Sequence, residues 1–309
     1  MVDQDVDLSV EIAGMNLRNP LILASGILGI TLGTLKRAER AGAGAVTTKT
    51  ITKEKRSGYG NPVIVELEYG LLNAMGLPNP GVEYFLEEVK KMKKVLKIPL
   101  IVSIAGSTPE EYAYLAKIIS HAGADAIELN LSCPHVEKTG VEVGSDPDIV
   151  YDIVRSVKIA SSKPILAKLS AMTPSIIEIG KAAVDGGADG IVAINTIRAM
   201  AIDIYARRPI LSNKFGGLSG PAIKPIAVRC VYELYEAIKV PIIGVGGISS
   251  WQDALEFILA GATAVEVGTA IAIRGLEVFK EIREGLTRYM IEEGFSSIKE
   301  LIGCAHVNS

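Results

Sequence analysis

Four times along the chain a small residue, a glycine and an alanine precede a short apolar run. The copies are Ala41-Gly42-Ala43, Ala122-Gly123-Ala124, Gly186-Gly187-Ala188 and Ala260-Gly261-Ala262. Each follows a stretch with helical spacing, where a glycine is suited to the left-handed residue that closes a helix. The runs that come next, Ala45 to Thr48, Ala126 to Leu131, Gly190 to Asn195 and Ala264 to Val267, are predicted strands. A second set begins at prolines: Pro20-Leu21-Ile22-Leu23, Pro99-Leu100-Ile101-Val102, Pro164-Ile165-Leu166-Ala167 and Pro241-Ile242-Ile243-Gly244. Proline is tolerated as the first residue of a strand, where no ladder donor is lost.

The two sets alternate strictly and give eight strands. Helical patterns fill most of the gaps, notably Glu110 to Ser120, Asp148 to Ala160, Ser175 to Asp185, Ile223 to Ile238 and Trp251 to Leu259. Apolar strands without in–out alternation, joined by helices, imply a parallel sheet covered on both faces. A doubly wound sheet would carry a GxGxxG turn after its first strand, and none stands there. The fold class is therefore read as α/β, a (β/α)8 barrel forming a single domain over residues 1–309. Two gaps, 52–86 and 197–219, are too long for a plain helix. Both follow strands, so they are expected as inserted loops or short hairpins on the C-terminal face, where barrel active sites lie. The polar segment from Pro134 to Asp146, with Gly140 and Gly144, is a candidate lid.

Composition narrows the function classes. Of 309 residues, 49% are hydrophobic and 22% charged, with a net charge of −3. That balance lacks the basic face a nucleic-acid partner would require. No apolar run is long enough to cross a membrane. Asp3, Asp5 and Asp7 make the N-terminal stretch unlike a signal peptide or anchor. Cys133, Cys230 and Cys304 form no CxxC pair, which argues against an iron–sulfur or zinc site in this chain and agrees with a reducing, cytoplasmic setting.

The strand ends carry the candidate chemistry: Ser25-Gly26, Lys49-Thr50, Ser103, Asn130 with Cys133, Lys168, Asn195-Thr196, Gly246-Gly247 and Gly268-Thr269. The last two pairs follow strands seven and eight, the usual barrel phosphate site, where glycine lets backbone N–H groups approach an anion. Lys49 and Lys168 would stand inside the barrel mouth, where a lysine must be paired or shift its pKa. A phosphate site with two lysines points to a flavin mononucleotide more than to a phosphorylated sugar, and composition leaves both open. Asn73, Asn130 and Asn195 offer paired donors and acceptors that match a cyclic amide such as a pyrimidine, although turn and capping roles are commoner for any one asparagine. His135 beside Cys133 either lowers the thiol pKa or is a solvated loop residue. No carboxylate cluster or histidine pair is read on this face, so no metal is expected.

Several longer motifs resemble those of the dihydroorotate dehydrogenase family, class 1B. They are Lys49-Thr50, Asn73-Ala74-Met75-Gly76-Leu77-Pro78-Asn79, Asn130-Leu131-Ser132-Cys133-Pro134, Asn195-Thr196, Gly216-Gly217-Leu218-Ser219-Gly220-Pro221-Ala222-Ile223-Lys224-Pro225, Gly246-Gly247 and Gly268-Thr269. They run in family order over nearly the whole chain. The resemblance implies FMN in the barrel mouth and oxidation of dihydroorotate to orotate in pyrimidine biosynthesis. It gives Cys133 the role of the base that takes a proton from C5 while hydride leaves C6. It assigns Lys49, Asn73, Ala74, Met75, Gly76, Leu77, Asn130, Asn195 and Thr196 to the substrate. It assigns Ser25, Lys49, Thr50, Asn130, Lys168, Ile194, Gly220, Gly246, Gly247, Gly268 and Thr269 to FMN. It also implies a homodimeric core with an electron-transfer subunit that carries FAD and a [2Fe–2S] cluster and passes electrons to NAD. A thiol begins nearer neutrality than a hydroxyl, so cysteine suits a general base here.

This chain departs from the family at Ser103, where an asparagine is usual, which leaves Ser103 a weak cofactor candidate. Neighbouring readings are a flavin barrel acting on uracil, a tRNA-dihydrouridine synthase, or a barrel that merely stores flavin. The acidic balance opposes the second, and a placed lysine, asparagine and thiol oppose the third.

Overall fold

The computed structural model describes residues 6–131 and 143–306. Eight parallel strands close into a barrel: β1 (Leu21–Leu23), β2 (Ala45–Thr47), β3 (Leu100–Ile104), β4 (Ala126–Asn130), β5 (Ile165–Leu169), β6 (Gly190–Ala193), β7 (Ile242–Val245) and β8 (Ala264–Val267). Each pairs with its sequence neighbours, and β8 returns to β1. Helices α1 (Leu32–Ala41), α2 (Val82–Val95), α3 (Pro109–Ala122), α4 (Pro147–Ala160), α5 (Ile176–Asp185), α6 (Lys224–Ala237), α7 (Trp251–Leu259), α8 (Thr269–Arg274) and α9 (Val278–Glu293) complete the α/β pattern. The (β/α)8 reading holds.

Local chemistry accounts for the helix ends. Thr31, Thr108, Asp146, Ser175 and Ser250 each accept a hydrogen bond from a backbone N–H of the first turn, and Ser250 forms a capping box with Asp253. At the other ends Gly42, Gly123, Gly187 and Gly261 all have positive φ. The repeated glycine is thus the left-handed residue that turns each helix toward its strand.

The residue after each repeat sets the barrel's register. Gly44 N–H donates to the carbonyl of Leu21 at 2.7 Å, Asp125 to Leu100 at 2.9 Å, Asp189 to Ile165 at 2.8 Å and Thr263 to Ile242 at 2.8 Å. Each bond ties the start of an even strand to the first residue of the odd strand before it. In two pairs the carboxylate returns the bond. Asp125 accepts from Leu100 N–H and Asp189 from Ile165 N–H, both at 2.9 Å. Lys93 and Lys158 hold these carboxylates at 2.6 and 2.7 Å. Where the repeat offers only Gly44, Asn19 Oδ1 accepts from Leu21 N–H at 3.0 Å instead. A side chain at 44 would place Cβ 2.2 Å from the Asn19 carbonyl, so glycine is required there.

Apolar side chains of the strands pack against the inner helix faces as one core, which also takes in Val10, Ile12, Met15 and Leu17 from the hairpin Val10–Ile12/Met15–Leu17. The two long gaps meet each other above the barrel. Ile64–Leu67, Gly70–Asn73, Gly216–Ser219 and Ile197–Ala199 form one antiparallel sheet across both insertions, with a further short hairpin, Ile202–Asp203/Arg208–Pro209. The inserted segments therefore pair with one another, and Asn73 and Gly217 end up in register.

Replacing Asp189 by alanine removes both the Ile165 N–H bond and the Lys158 pair. The expected cost is about 1–2 kcal/mol of unfolding free energy by denaturant titration. A change indistinguishable from that of an exposed surface substitution would refute the register role of this side chain.

Candidate active site

The C-terminal strand ends and the inserted sheet enclose a cavity of about 1080 Å³, room for a mononucleotide and a second small ring. Ser25, Lys49, Thr50, Asn73, Ala74, Met75, Gly76, Leu77, Asn130, Lys168, Ile194, Asn195, Thr196, Gly220, Gly246, Gly247, Gly268 and Thr269 all line it. Cys133 and His135 lie outside the described residues. So does most of the Pro134–Asp146 segment, of which Val143–Ser145 form a 3-10 turn and Asp146 caps α4.

A chain of hydrogen bonds crosses one wall. Thr50 Oγ1 lies 3.0 Å from Ser103 Oγ and 3.2 Å from Ser25 Oγ, and accepts from Asn130 Nδ2 at 3.3 Å. Asn195 Nδ2 donates to Asn130 Oδ1 at 3.0 Å, while Asn195 Oδ1 accepts from Thr196 N–H at 2.8 Å. The Tyr112 hydroxyl donates to the Asn130 carbonyl at 2.7 Å and fixes the strand end. Each amide orientation is thereby set, which preorganises the wall for a polar ring. Ser103 proves to be a support, buried behind Thr50 and absent from the cavity lining. The hydroxyl reaches Thr50, so any part it takes in holding a cofactor runs through Thr50.

The Asn73–Leu77 loop is held from behind. Asn79 is buried and uses its whole amide. Its Nδ2 donates to Thr52 Oγ1 at 2.9 Å and the Leu77 carbonyl at 2.8 Å, and its Oδ1 accepts from the N–H groups of Thr52 and Gly81. Leu77 is held at φ 53°, a left-handed conformation uncommon for leucine. Tyr59 N–H donates to the Met75 carbonyl at 3.1 Å. Asn73 donates to the Gly217 carbonyl at 3.2 Å and so joins the loop to the inserted sheet.

On the opposite wall the backbone comes close. Gly247 has φ 78°, and a Cβ there would lie 2.8 Å from the Gly220 carbonyl and from Lys224 Cβ. The N–H groups of Gly247, Gly268 and Thr269 donate to no acceptor among the described residues. Unpartnered amides on a glycine-built wall are suited to an anionic group such as phosphate.

The two lysines sit in opposite electrostatic states. Lys49 is 8% exposed and has no carboxylate or acceptor for its ammonium among the described residues. Burial alone pushes its pKa down. Lys168, on β5, bonds Glu266 at 2.6 Å and Glu128 at 3.3 Å. Burial opposes its charge, but the two carboxylates outweigh that and hold the ammonium above its ordinary value. Glu266 is in turn pushed up by burial, against the pull of Lys168 and with the help of Glu128. The reading of no carboxylate cluster on this face is corrected in part: the pair Glu128 and Glu266 lines the cavity, one layer below the strand ends. Both are hidden in apolar runs, and a glutamate inside a buried parallel strand was the signal available.

Known proteins resemble this chain over almost its full length. A sequence model described as dihydroorotate dehydrogenase matches residues 7–290. The curated protein named dihydroorotate dehydrogenase B (NAD(+)), catalytic subunit, of Pyrococcus abyssi is 57% identical over 298 residues, covering 96% of this chain and 99% of its own. The proteins of the same name from Pyrococcus furiosus and Methanocaldococcus jannaschii are 55% and 49% identical, each spanning 97% of this chain, with 99% and 98% of their own lengths matched.

A buried ammonium without a partner costs stability until an anion arrives. Below lysine's ordinary value of 10.5 the unfolded chain binds this proton more readily than the folded one. Lys49→Met should therefore stabilise the ligand-free protein at neutral pH by about 1 kcal/mol. The gain should fade as pH rises from the lowered folded value toward 10.5 and be absent above it, where lysine is neutral in both states. Thermal unfolding across pH measures this, and a variant less stable than wild type at neutral pH would contradict it.

Proposed function

The chain belongs to the dihydroorotate dehydrogenase family, and from that premise we propose that it oxidises dihydroorotate to orotate in pyrimidine biosynthesis, with residues 1–309 forming one FMN-binding barrel. The observation that carries the substrate is Lys49, an ammonium facing the cavity without a counter-charge among the described residues. Dihydroorotate brings a carboxylate to it. Uracil and dihydrouracil do not, which disfavours a barrel acting on uncharged pyrimidines. Asn73, Asn130, Asn195 and Thr196 supply the donors and acceptors for the cyclic amide and imide edges, and the Ala74–Leu77 backbone closes round the ring.

The fit to FMN rests on the glycine wall, where the free N–H groups of Gly247, Gly268 and Thr269 suit a phosphate. Gly220 and Gly246 line the same wall, and Ser25, Thr50, Lys168 and Ile194 line the cavity where the ring system would lie. When bound, FMN supplies a two-electron acceptor for hydride. Cys133, three residues beyond Asn130, removes the C5 proton; the thiolate is the form that can do so, and a thiol's ordinary pKa keeps it accessible near neutrality. Asn130 and Lys49 hold the ring so that the C–H bonds to be broken keep one orientation through the reaction.

Electrons leave through a second polypeptide. Relatives named as catalytic subunits of an NAD(+) enzyme support a partner subunit and NAD as the acceptor; that partner would carry FAD and a [2Fe–2S] cluster to relay the electrons. Ile202, Ile204 and Tyr205 stand exposed on the inserted hairpin segment, as do Ile64 and Tyr69 on the inserted sheet. Large apolar side chains in such positions favour protein contacts, including a homodimeric core. No helix among the described residues is long and apolar enough to cross a membrane, in keeping with a cytoplasmic enzyme.

Cys133→Ala should lower kcat by about 10²–10⁴-fold while the purified protein keeps its flavin and its affinity for orotate. Retained turnover, or loss of flavin together with turnover, would remove Cys133 from the role of base.

A further inference from the structure

Beneath the cavity, three strands bring one ammonium and two carboxyl groups together in the barrel interior. Lys168 comes from β5, Glu128 from β4 and Glu266 from β8, and all three are at most 5% exposed. Lys168 Nζ bonds Glu266 Oε2 at 2.6 Å and Glu128 Oε2 at 3.3 Å. Thr47 Oγ1 donates to Glu266 Oε1 at 3.1 Å, whereas Glu128 Oε1 is buried with no partner among the described residues. Among the described residues the charged groups facing Glu266 are Lys168 and Glu128. The strands flanking Glu266's own, β1 and β7, are wholly apolar. All three ionisable side chains reach the cavity.

Two buried carboxylates beside one ammonium would leave a net negative charge in a dry interior. Retaining one proton on the carboxyl pair removes that charge at less cost than burying it. Such a pair titrates as a unit, and either carboxylate can neutralise Lys168. Nothing in the proton abstraction described above uses this group.

We propose that Glu128 and Glu266 are positioning residues that share one proton, hold Lys168 at the cavity floor as a charge-neutral group, and so set the redox potential of the bound flavin. This rests on the FMN reading above. A reduced flavin is more electron-rich than an oxidised one, so an uncompensated Lys168 would favour reduction. The shared proton should also be held more tightly beside the reduced flavin, which couples reduction to proton uptake by the pair.

The test is the potential of the bound flavin against pH in wild type, Glu128→Gln, Glu266→Gln and the double variant, with thermal unfolding as a check on folding. In wild type the potential should depart from the pH line of free FMN on the alkaline side. Either single substitution removes the shared proton but leaves one carboxylate. That departure should vanish, while the neutral-pH equilibrium between oxidised and reduced flavin changes less than about threefold. The double variant leaves Lys168 uncompensated and should favour reduced flavin by at least tenfold, about 30 mV for a two-electron couple. Additive shifts, or a pH departure that survives in both single variants, would overturn the proposal. If the double variant does not fold, the single-variant pH profiles decide alone. A wild-type protein that takes up no FMN would overturn the cofactor reading itself, and this proposal with it.

Discussion

Closing eight parallel strands requires every neighbour to begin at the right height, and four backbone bonds at the N-terminal rim set that height. Gly44, Asp125, Asp189 and Thr263 each donate to the first residue of the preceding strand. Side chains on a strand alternate between faces, so a one-residue slip would turn the interior set outward. Lys168, Glu128 and Glu266 reach one another only because β5, β4 and β8 share a common register. The chemistry at one rim of the barrel is thus fixed by small residues at the other.

Rigidity above the barrel is obtained differently. The inserted segments pair with each other, the buried Asn79 uses its whole amide, and the Ser103–Thr50–Asn130–Asn195 chain fixes side-chain directions. Several groups lining the cavity are left without partners among the described residues: the ammonium of Lys49, the amides of Gly247, Gly268 and Thr269, and, lower down, Glu128 Oε1. The ammonium and the amides are positively polarised. Such a donor set suits anionic groups such as a phosphate and a carboxylate.

Most of this was legible in the sequence, because glycine repeats and proline-led apolar runs carry backbone requirements that composition cannot disguise. The left-handed glycines lie at 42, 123, 187 and 261 as the repeat requires, although the helices before Gly187 and Gly261 are already capped at Gly186 and Ala260. The strand-end residues converged on the cavity because a parallel barrel delivers every strand end to one face. Glu128 and Glu266 escaped notice because they sit inside runs read as wholly apolar, and their role depends on strands more than a hundred residues apart. The place of Ser103 was not legible for a related reason: its side chain is on the interior side but stops short at Thr50. The antiparallel sheet joining 64–73 to 197–219 could not be seen in either insertion alone, since each supplies only part of it.

The central claim is that an FMN-containing cavity takes a carboxylated dihydropyrimidine and oxidises it. The most direct measurement is the visible absorption of the purified chain under anaerobic conditions, before and after adding dihydroorotate. The expected result is a flavin band that bleaches with dihydroorotate and is unchanged by dihydrouracil, which has no carboxylate to offer Lys49. A band that bleaches with dihydrouracil and persists with dihydroorotate would contradict it.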